Sequence, residues 1–285
     1  MQITQLNIYP VKSLRGIALD QAVLTERGLA FDRQWMVVDD DNRFVTQREI
    51  AAMAQVRVRL TPDALILEHD AVEEPLSVAL EPEASAPRLE VRIFKDQCEA
   101  IDEGPEAARW LTRVLGPLGS SGLRLVRFPD EARRAIEPDY LRGEKAHTGF
   151  ADGYAVLVTS DASLSALNAR LAEKGEGPVP MSRFRPNIVV AGGTAFDERE
   201  WDDIQLQASG VRLGLRKPCK RCKIITQDQQ SGEAPSPKEP LKTLAEMDTQ
   251  PGWKGAFFGQ NAIPLAGVDA ALRVGDVLSV TRRDP

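Results

Sequence analysis

From its second residue the chain is written in short apolar runs at near-regular intervals. The stretches "ITQLNIYPV", "VRVRL", "ALILEH", "LEVRIF" and "CEAID" mix β-branched or large apolar residues with polar ones, and turn residues separate them. Successive side chains point to opposite faces of a strand, so a run of this kind buries one face and wets the other. Short strands at this spacing predict a barrel-like β module. Within it, Trp35 to Val38 ("WMVV"), the polar "DDDN" and the run "RFVTQ" predict a hairpin.

The pattern changes near residue 104. "GPEAARWLTRVLG" has Pro105 near its start, apolar residues at helical spacing and Gly116 at its end, which predicts a helix. "PLGSSG", Pro117 to Gly122, reads as a linker, placing two regions at 1–120 and 121–285. The second region offers strands in "LRLVRF", "YAVLVT", "NIVVAG", "IQLQA", "VRLGLR", "GAFFGQNAI" and "ALRVGDVLSV". "SDASLSALNARLAEK" predicts a helix with Ser160 as N-cap and Leu164, Leu167 and Leu171 on one face. "KEPLKTLAEM" predicts a shorter helix, and "DEREWDD" a turn or short helix. The fold class is mainly β with some α, two barrel-like β regions with flanking helices.

Several functional classes are disfavoured. The chain has 36 basic and 42 acidic residues and a net charge of −6, against the basic stripe that nucleic-acid binding requires. It has no apolar run of about 18 residues, so no helical membrane span is expected. Its start resembles neither a signal peptide nor a transit peptide. Three cysteines, Cys98, Cys219 and Cys222, do not make a disulfide scaffold and fit a reducing compartment, so a cytoplasmic location is expected.

The segment with most chemistry is "RKPCKRCKIITQD", Arg216 to Asp228. A zinc site needs four ligands, yet only Cys98, His69 and His147 remain, far apart in sequence. A four-cysteine iron–sulfur cluster is beyond one such chain. A thioredoxin-like dithiol opens a helix, whereas this pair follows a strand and leads into a β-branched run. Two readings stay open. Both cysteines are ordinary packed residues beside a solvated basic strand end, or a thiolate sits beside an anion-binding patch. Six basic residues and no acidic one between Val211 and Lys223 favour the thiolate, because nearby cations lower a thiol's pKa.

Two more segments match an anion site. "YPVKSLRG" sets Lys12, Ser13 and Arg15 after a strand, with Gly16 permitting a turn. Lysine is a point charge and serine a hydroxyl donor for phosphate. "SRFRPNIVV" places Arg183, Arg185 and Asn187 at the head of an apolar strand, with Pro186 holding Arg185 extended. Arginine presents a planar donor fork, and an asparagine can read a heterocycle edge.

Taken in order, "LNIYPVKSLRG", "GLAFDRQWMVVD", "FADGYAVLVTS", "RFRPNIVV", "PCKRCKIIT" and "FFGQNA…VGD" resemble the MOSC-domain family along nearly the whole chain. The similarity is to the branch that carries a MOSC N-terminal β-barrel region and includes the amidoxime-reducing components and bacterial N-hydroxylated-base reductases. It implies a MOSC N-terminal β-barrel-like region at 1–120 and a MOSC β-barrel domain at 121–285. It further implies a molybdopterin-type molybdenum cofactor with Cys222 as metal ligand and catalytic centre, and Cys219 as a non-ligand. Cofactor contacts are implied at Lys12, Ser13, Arg33, Arg185 and Asn187, with Arg221, Asp152 and Gly153 as further contacts. Some relatives carry a serine where this chain has Tyr154, so a serine hydroxyl contact there does not carry over.

The activity implied is reduction of N-hydroxylated small molecules: hydroxylamines, amidoximes or N-hydroxylated bases. Some relatives end in a ferredoxin-like domain with four cysteines; no cysteine follows Cys222 here, so a separate electron-donor protein is implied. Glu137, Asp139, Tyr140 and His147 of the long polar loop are weighed as proton donors against the reading that they are solvent-exposed loop residues. The rival function is a cofactor carrier or sulfur-transfer module without reductase turnover.

Overall fold

The computed structural model describes residues 1–283, so the last two residues of the 121–285 region lie outside the described residues. One sheet of eight strands organises the molecule. Its order is Ile17–Leu19, Gln2–Ile8, Ile188–Ala191, Val156–Ser160, Phe257–Ala266, Arg212–Lys220, Trp201–Leu206 and Leu278–Arg282. A bridge from Gln2 to Val277, with Ile3 N donating to Asp276 O at 3.0 Å, brings the last strand back beside the early strand Gln2–Ile8. The sheet therefore curls on itself, and its inner face holds Ile3, Leu6, Trp201, Ile204, Leu213, Leu215 and Ile263, all essentially inaccessible to water. Burying each such aliphatic side chain stabilises the barrel by about 1.5–3 kcal/mol.

The parallel pair Val156–Ser160 and Ile188–Ala191 needs a crossover. The chain between them forms the helix Asp161–Glu173, with the Ser160 hydroxyl accepting from Ala162 N at 3.2 Å. Such a cap contributes about 1 kcal/mol. Leu167 and Leu171 are fully buried against Phe184 and Phe258, and Leu164 is partly buried. The helix predicted early in the chain is Gly104–Leu115, and the short one is Leu241–Glu246.

The rest of the first region makes a smaller body. A four-stranded sheet runs Trp35–Val38, Arg124–Arg127, Asp96–Asp102, Arg88–Ile93, beside a three-stranded sheet Arg57–Leu60, Ala64–His69, Val72–Ala79. Trp35 anchors it: fully buried, its indole N–H donates to Glu103 at 2.7 Å, and that carboxylate also accepts from Arg127 at 2.6 Å. Strand pairing crosses residue 120 in both directions. Gln2–Ile8 pairs with Ile188–Ala191, and Arg124–Arg127 pairs with Trp35–Val38. "PLGSSG" is a tight turn closed by hydrogen bonds between Leu118 and Ser121.

Three local expectations change. "RFVTQ" makes only isolated bridges, Phe44 to Val38 and Arg43 to Arg92, and then turns away, because the Thr46 hydroxyl and backbone N–H bond the Glu49 carboxylate. "KIIT" is not extended: Lys223–Thr226 is a 3₁₀ turn, closed by Ile225 N donating to Cys222 O at 3.2 Å. The β-branched content of that segment was overridden by the need to reverse direction after the long strand Arg212–Lys220. "ALRVGDVLSV" splits into two strands at the Val274–Val277 turn.

Candidate functional site

Each predicted site residue sits where a strand ends. Lys12 and Ser13 follow Gln2–Ile8, Arg33 precedes Trp35–Val38, Asp152 and Gly153 precede Val156–Ser160, and Arg185 and Asn187 precede Ile188–Ala191. Arg221 and Cys222 follow Arg212–Lys220, and Cys222 caps the 3₁₀ turn. All of them line one cleft, together with Cys219, Thr46, Arg48 and Tyr154. Arg15 and Arg183 do not line it: Arg15 bonds Ala54 O and Gln230 O, and Arg183 bonds Thr226 O at 2.7 Å.

The backbone is strained where the cleft needs it. Ser13, Arg33 and Arg185 have φ of 67°, 48° and 54°, in the left-handed region. Non-glycine residues held there each cost on the order of 1–3 kcal/mol, and such positions gather at functional sites. Arg185 is thus not extended, as Pro186 had suggested. It forms the cap of the 3₁₀ turn Met181–Phe184, and tertiary packing overrides the proline's preference.

Beneath the cleft Tyr9 is gripped by two guanidinium groups. Arg33 lies 4.3 Å and Arg185 4.2 Å from its ring centre, and its hydroxyl donates to Pro186 O at 3.2 Å. Burial pushes the Tyr9 phenol up to about 12, against the pull of Arg185 and Arg33. Gly16 serves this ring, since a Cβ there would collide with Tyr9; it is not a positive-φ turn residue.

The cations are unequally paired. Lys12 is buried, and its ammonium donates to Phe150 O at 2.9 Å and to the Asp152 carboxylate. Burial lowers the Lys12 pKa, with Asp152 opposing. Arg33 pairs with Asp32 at 2.6 Å. Arg48, Arg185 and Arg221 have no carboxylate partner among the described residues. Arg185 bonds Gln229 at 2.9 Å through one arm, and its other terminal nitrogen is buried without a partner among the described residues. Burial pulls its pKa down to about 10. Arg221 donates to Cys219 Sγ at 2.8 Å and to Phe184 O at 2.8 Å, leaving Nε unpartnered. Buried donors without acceptors are costly, and these arginines keep hydrogen-bonding capacity that the described residues do not satisfy.

Asn187 plays another part than the sequence suggested. Its side-chain oxygen accepts from Leu157 N at 3.0 Å and Arg33 at 3.3 Å, and its amide donates to Asn7 O at 3.2 Å. Both lone pairs and one proton are spent on protein, so it fixes three segments at the cleft wall and has one amide proton left over. Gly153 faces open space, and a Cβ there would meet nothing.

Both cysteines of the pair are free and half-buried. No cluster of three or more His, Cys, Asp or Glu among the described residues is placed to hold a metal. His69 is half-buried at the end of Ala64–His69, Cys98 lies in Asp96–Asp102, and His147 pairs with Ala135; none lines the cleft. A metal on Cys222 would draw its other ligands from a cofactor, which suits a soft thiolate donor beside an anion cradle.

The four loop candidates for proton transfer stand outside the cleft. Glu137 pairs with Lys95 at 2.7 Å, and Tyr140 packs on Trp253 and under Lys217. Asp139 lies on the exposed turn beside Tyr140, and His147 sits in a two-residue strand. The residues that the sequence did not single out are Tyr9, Thr46 and Arg48. The first was hidden inside a quoted strand, Thr46 in the expected hairpin arm "RFVTQ", and Arg48 directly after it.

Comparison with known proteins now bears on this geometry. Residues 1–117 match the MOSC N-terminal beta barrel domain, and residues 145–279 match the MOSC domain. "Mitochondrial amidoxime-reducing component 1" of Xenopus laevis is 32% identical over 99% of this chain and 82% of its own length. The chain belongs to the MOSC family. "Mitochondrial amidoxime reducing component 2" of Bos taurus is 33% identical to this MOSC chain over 96% of it and 81% of the relative. "Molybdenum cofactor sulfurase" of Drosophila persimilis is 30% identical over 98% of the MOSC chain, which spans 35% of that longer protein. In the MOSC chain no helix among the described residues is long and apolar enough to cross a membrane.

Proposed function

We propose that this MOSC chain holds a molybdopterin-type molybdenum cofactor on Cys222 and reduces N-hydroxylated small molecules with electrons from a separate protein. One observation carries the reading: the free Cys222 thiol shares a cleft with Lys12, Arg33, Arg48, Arg185 and Arg221. A dianionic phosphate fits that cradle, and arginine forks match its oxygens.

Cys222 would ligate the metal, and Lys12, Ser13, Arg33, Arg185 and Arg221 would hold the anionic tail. Asp152 and Gly153 contribute by shaping the rim and holding Lys12, and Asn187 acts by position. When bound, the group supplies the two-electron chemistry that removes an oxygen from nitrogen. The substrate balance is R–NHOH with two electrons and two protons giving R–NH₂ and water. Tyr154, the phenol at the cleft wall, is pushed up to about 12 by burial and keeps its proton throughout. With the loop candidates outside, protons enter from solvent at the open rim near Asp152. The same reading treats 1–120 and 121–285 as two units that share strands, and the three free cysteines support a cytoplasmic location.

The test is purification from a host that makes the cofactor, followed by benzamidoxime reduction with reduced methyl viologen, ferredoxin or flavodoxin. Formation of benzamidine is the expected result. The name of the sulfurase relative supports a second reading, a carrier or sulfur-transfer module. Loaded protein that forms no product even with the chemical reductant would favour it.

A further inference from the structure

The strand hairpin Arg88–Ile93 and Asp96–Asp102 closes through a two-residue tip, Phe94 and Lys95. Such tips favour Asn, Asp or Gly, because they need left-handed backbone. Here Phe94 has φ of 53° and leaves 46% of its surface exposed. A large aromatic in a strained, wet position is an unfavourable choice for folding. Its placement accounts for it. The ring packs 4.7 Å from that of Phe44, and the Lys12 ammonium and Arg48 guanidinium lie 5.8 and 5.5 Å from its centre. Lys12 and Arg48 both line the cleft that holds Cys222, and the exposed Phe94 ring lies beside these two wall residues, just outside the lining itself.

The tip is also held in place. Lys95 pairs with Glu137 at 2.7 Å, and Asp96 with Arg134 at 2.8 Å. Arg134 in turn donates to Ala151 O at 2.7 Å, beside Asp152. The hairpin is thereby tied to the rim.

We propose that Phe94, backed by Phe44, is a subsite for the flat, conjugated part of the substrate, and so sets preference among N-hydroxylated compounds. This rests on the reductase reading above. The exposed ring offers a stacking surface, and the flanking Arg48, which has no carboxylate partner among the described residues, favours an uncharged or anionic aryl or heteroaryl group over a cationic one. A small aliphatic hydroxylamine has no flat face to stack on this ring.

The test compares loaded wild type with Phe94→Asn, a residue suited to the turn. KM for benzamidoxime is expected to rise about three- to tenfold with kcat little changed, the size of a lost aromatic contact. KM for N-methylhydroxylamine is expected to stay the same, and the thermal midpoint to stay or rise. An unchanged KM ratio between the two compounds would overturn the proposal. Benzamidoxime affinity, measured by titration calorimetry without reductant, separates the two readings. If wild type reduces neither compound the reductase reading fails, while weaker binding by Phe94→Asn still sustains the subsite. Equal binding overturns it.

Discussion

Gln47 and Gln229 exchange hydrogen bonds: Gln47 Nε2 donates to Gln229 Oε1 at 3.2 Å, and Gln229 Nε2 donates back to Gln47 Oε1 at 3.0 Å. Gln47 also donates to Ser13 O at 2.8 Å, and Gln229 Oε1 accepts from Arg185 at 2.9 Å. Both amides are buried. A continuous path thus joins two of the strained backbone positions, one after the first strand and one before Ile188–Ala191. The cleft is assembled from distant parts of the chain, and this pair locks their spacing.

Gln47→Leu strands a buried Gln229 donor and the Ser13 carbonyl, so stability should fall by about 1–3 kcal/mol in chemical denaturation. Gln47→Leu with Gln229→Leu should cost less than the sum of the single changes, because the two share a partner. Additive losses would show that the pair is not coupled.

Asp152 gives a pH signature. Desolvation at the cleft works against its charge even though 68% of the side chain is exposed at the rim, but the Lys12 charge and hydrogen bond, with Arg48 and Arg33 further off, outweigh it and bring the carboxyl from 3.8 to about 2. A depressed folded value stabilises above the unfolded pKa and is lost as pH falls through the folded one. In protein free of cofactor, the stability gap between wild type and Asp152→Asn should therefore close between about pH 4 and pH 2. A gap independent of pH in urea titrations would contradict the pairing with Lys12.

Glu198 should behave in the opposite sense. It is fully buried, and burial raises its carboxyl from 4.5 to about 7, with the Ser163 hydroxyl bonding it at 2.8 Å. A raised acid stabilises below its unfolded pKa, and that contribution is lost as pH rises through the folded value. Wild-type stability should decline across the window from 4.5 to about 7, and Glu198→Gln should flatten that decline. Denaturant midpoints measured across this window check it.

Much of this was legible in the sequence where chemistry and pattern coincide. The Ser160 cap, the leucine face of Asp161–Glu173 and the mainly β class follow from local rules, and the cleft collects every site residue expected from the resemblance. The rest depends on distance in space. No local rule reveals that Gln2–Ile8 pairs with Ile188–Ala191, or that Tyr9 lies between two guanidinium groups. The bracing role of Asn187 was not legible, because its three partners lie on segments that only the fold brings together. Arg48 was missed because it directly follows the run "RFVTQ", and only the turn closed by Glu49 on Thr46 sets it in the cleft wall.

The most direct test is the molybdenum content of wild type, Cys222→Ser and Cys219→Ser proteins purified from a cofactor-producing host, with folding checked by circular dichroism. The account predicts metal in wild type, none in folded Cys222→Ser, and retention in Cys219→Ser, whose sulfur is occupied by Arg221. Metal at the wild-type level in Cys222→Ser would contradict it.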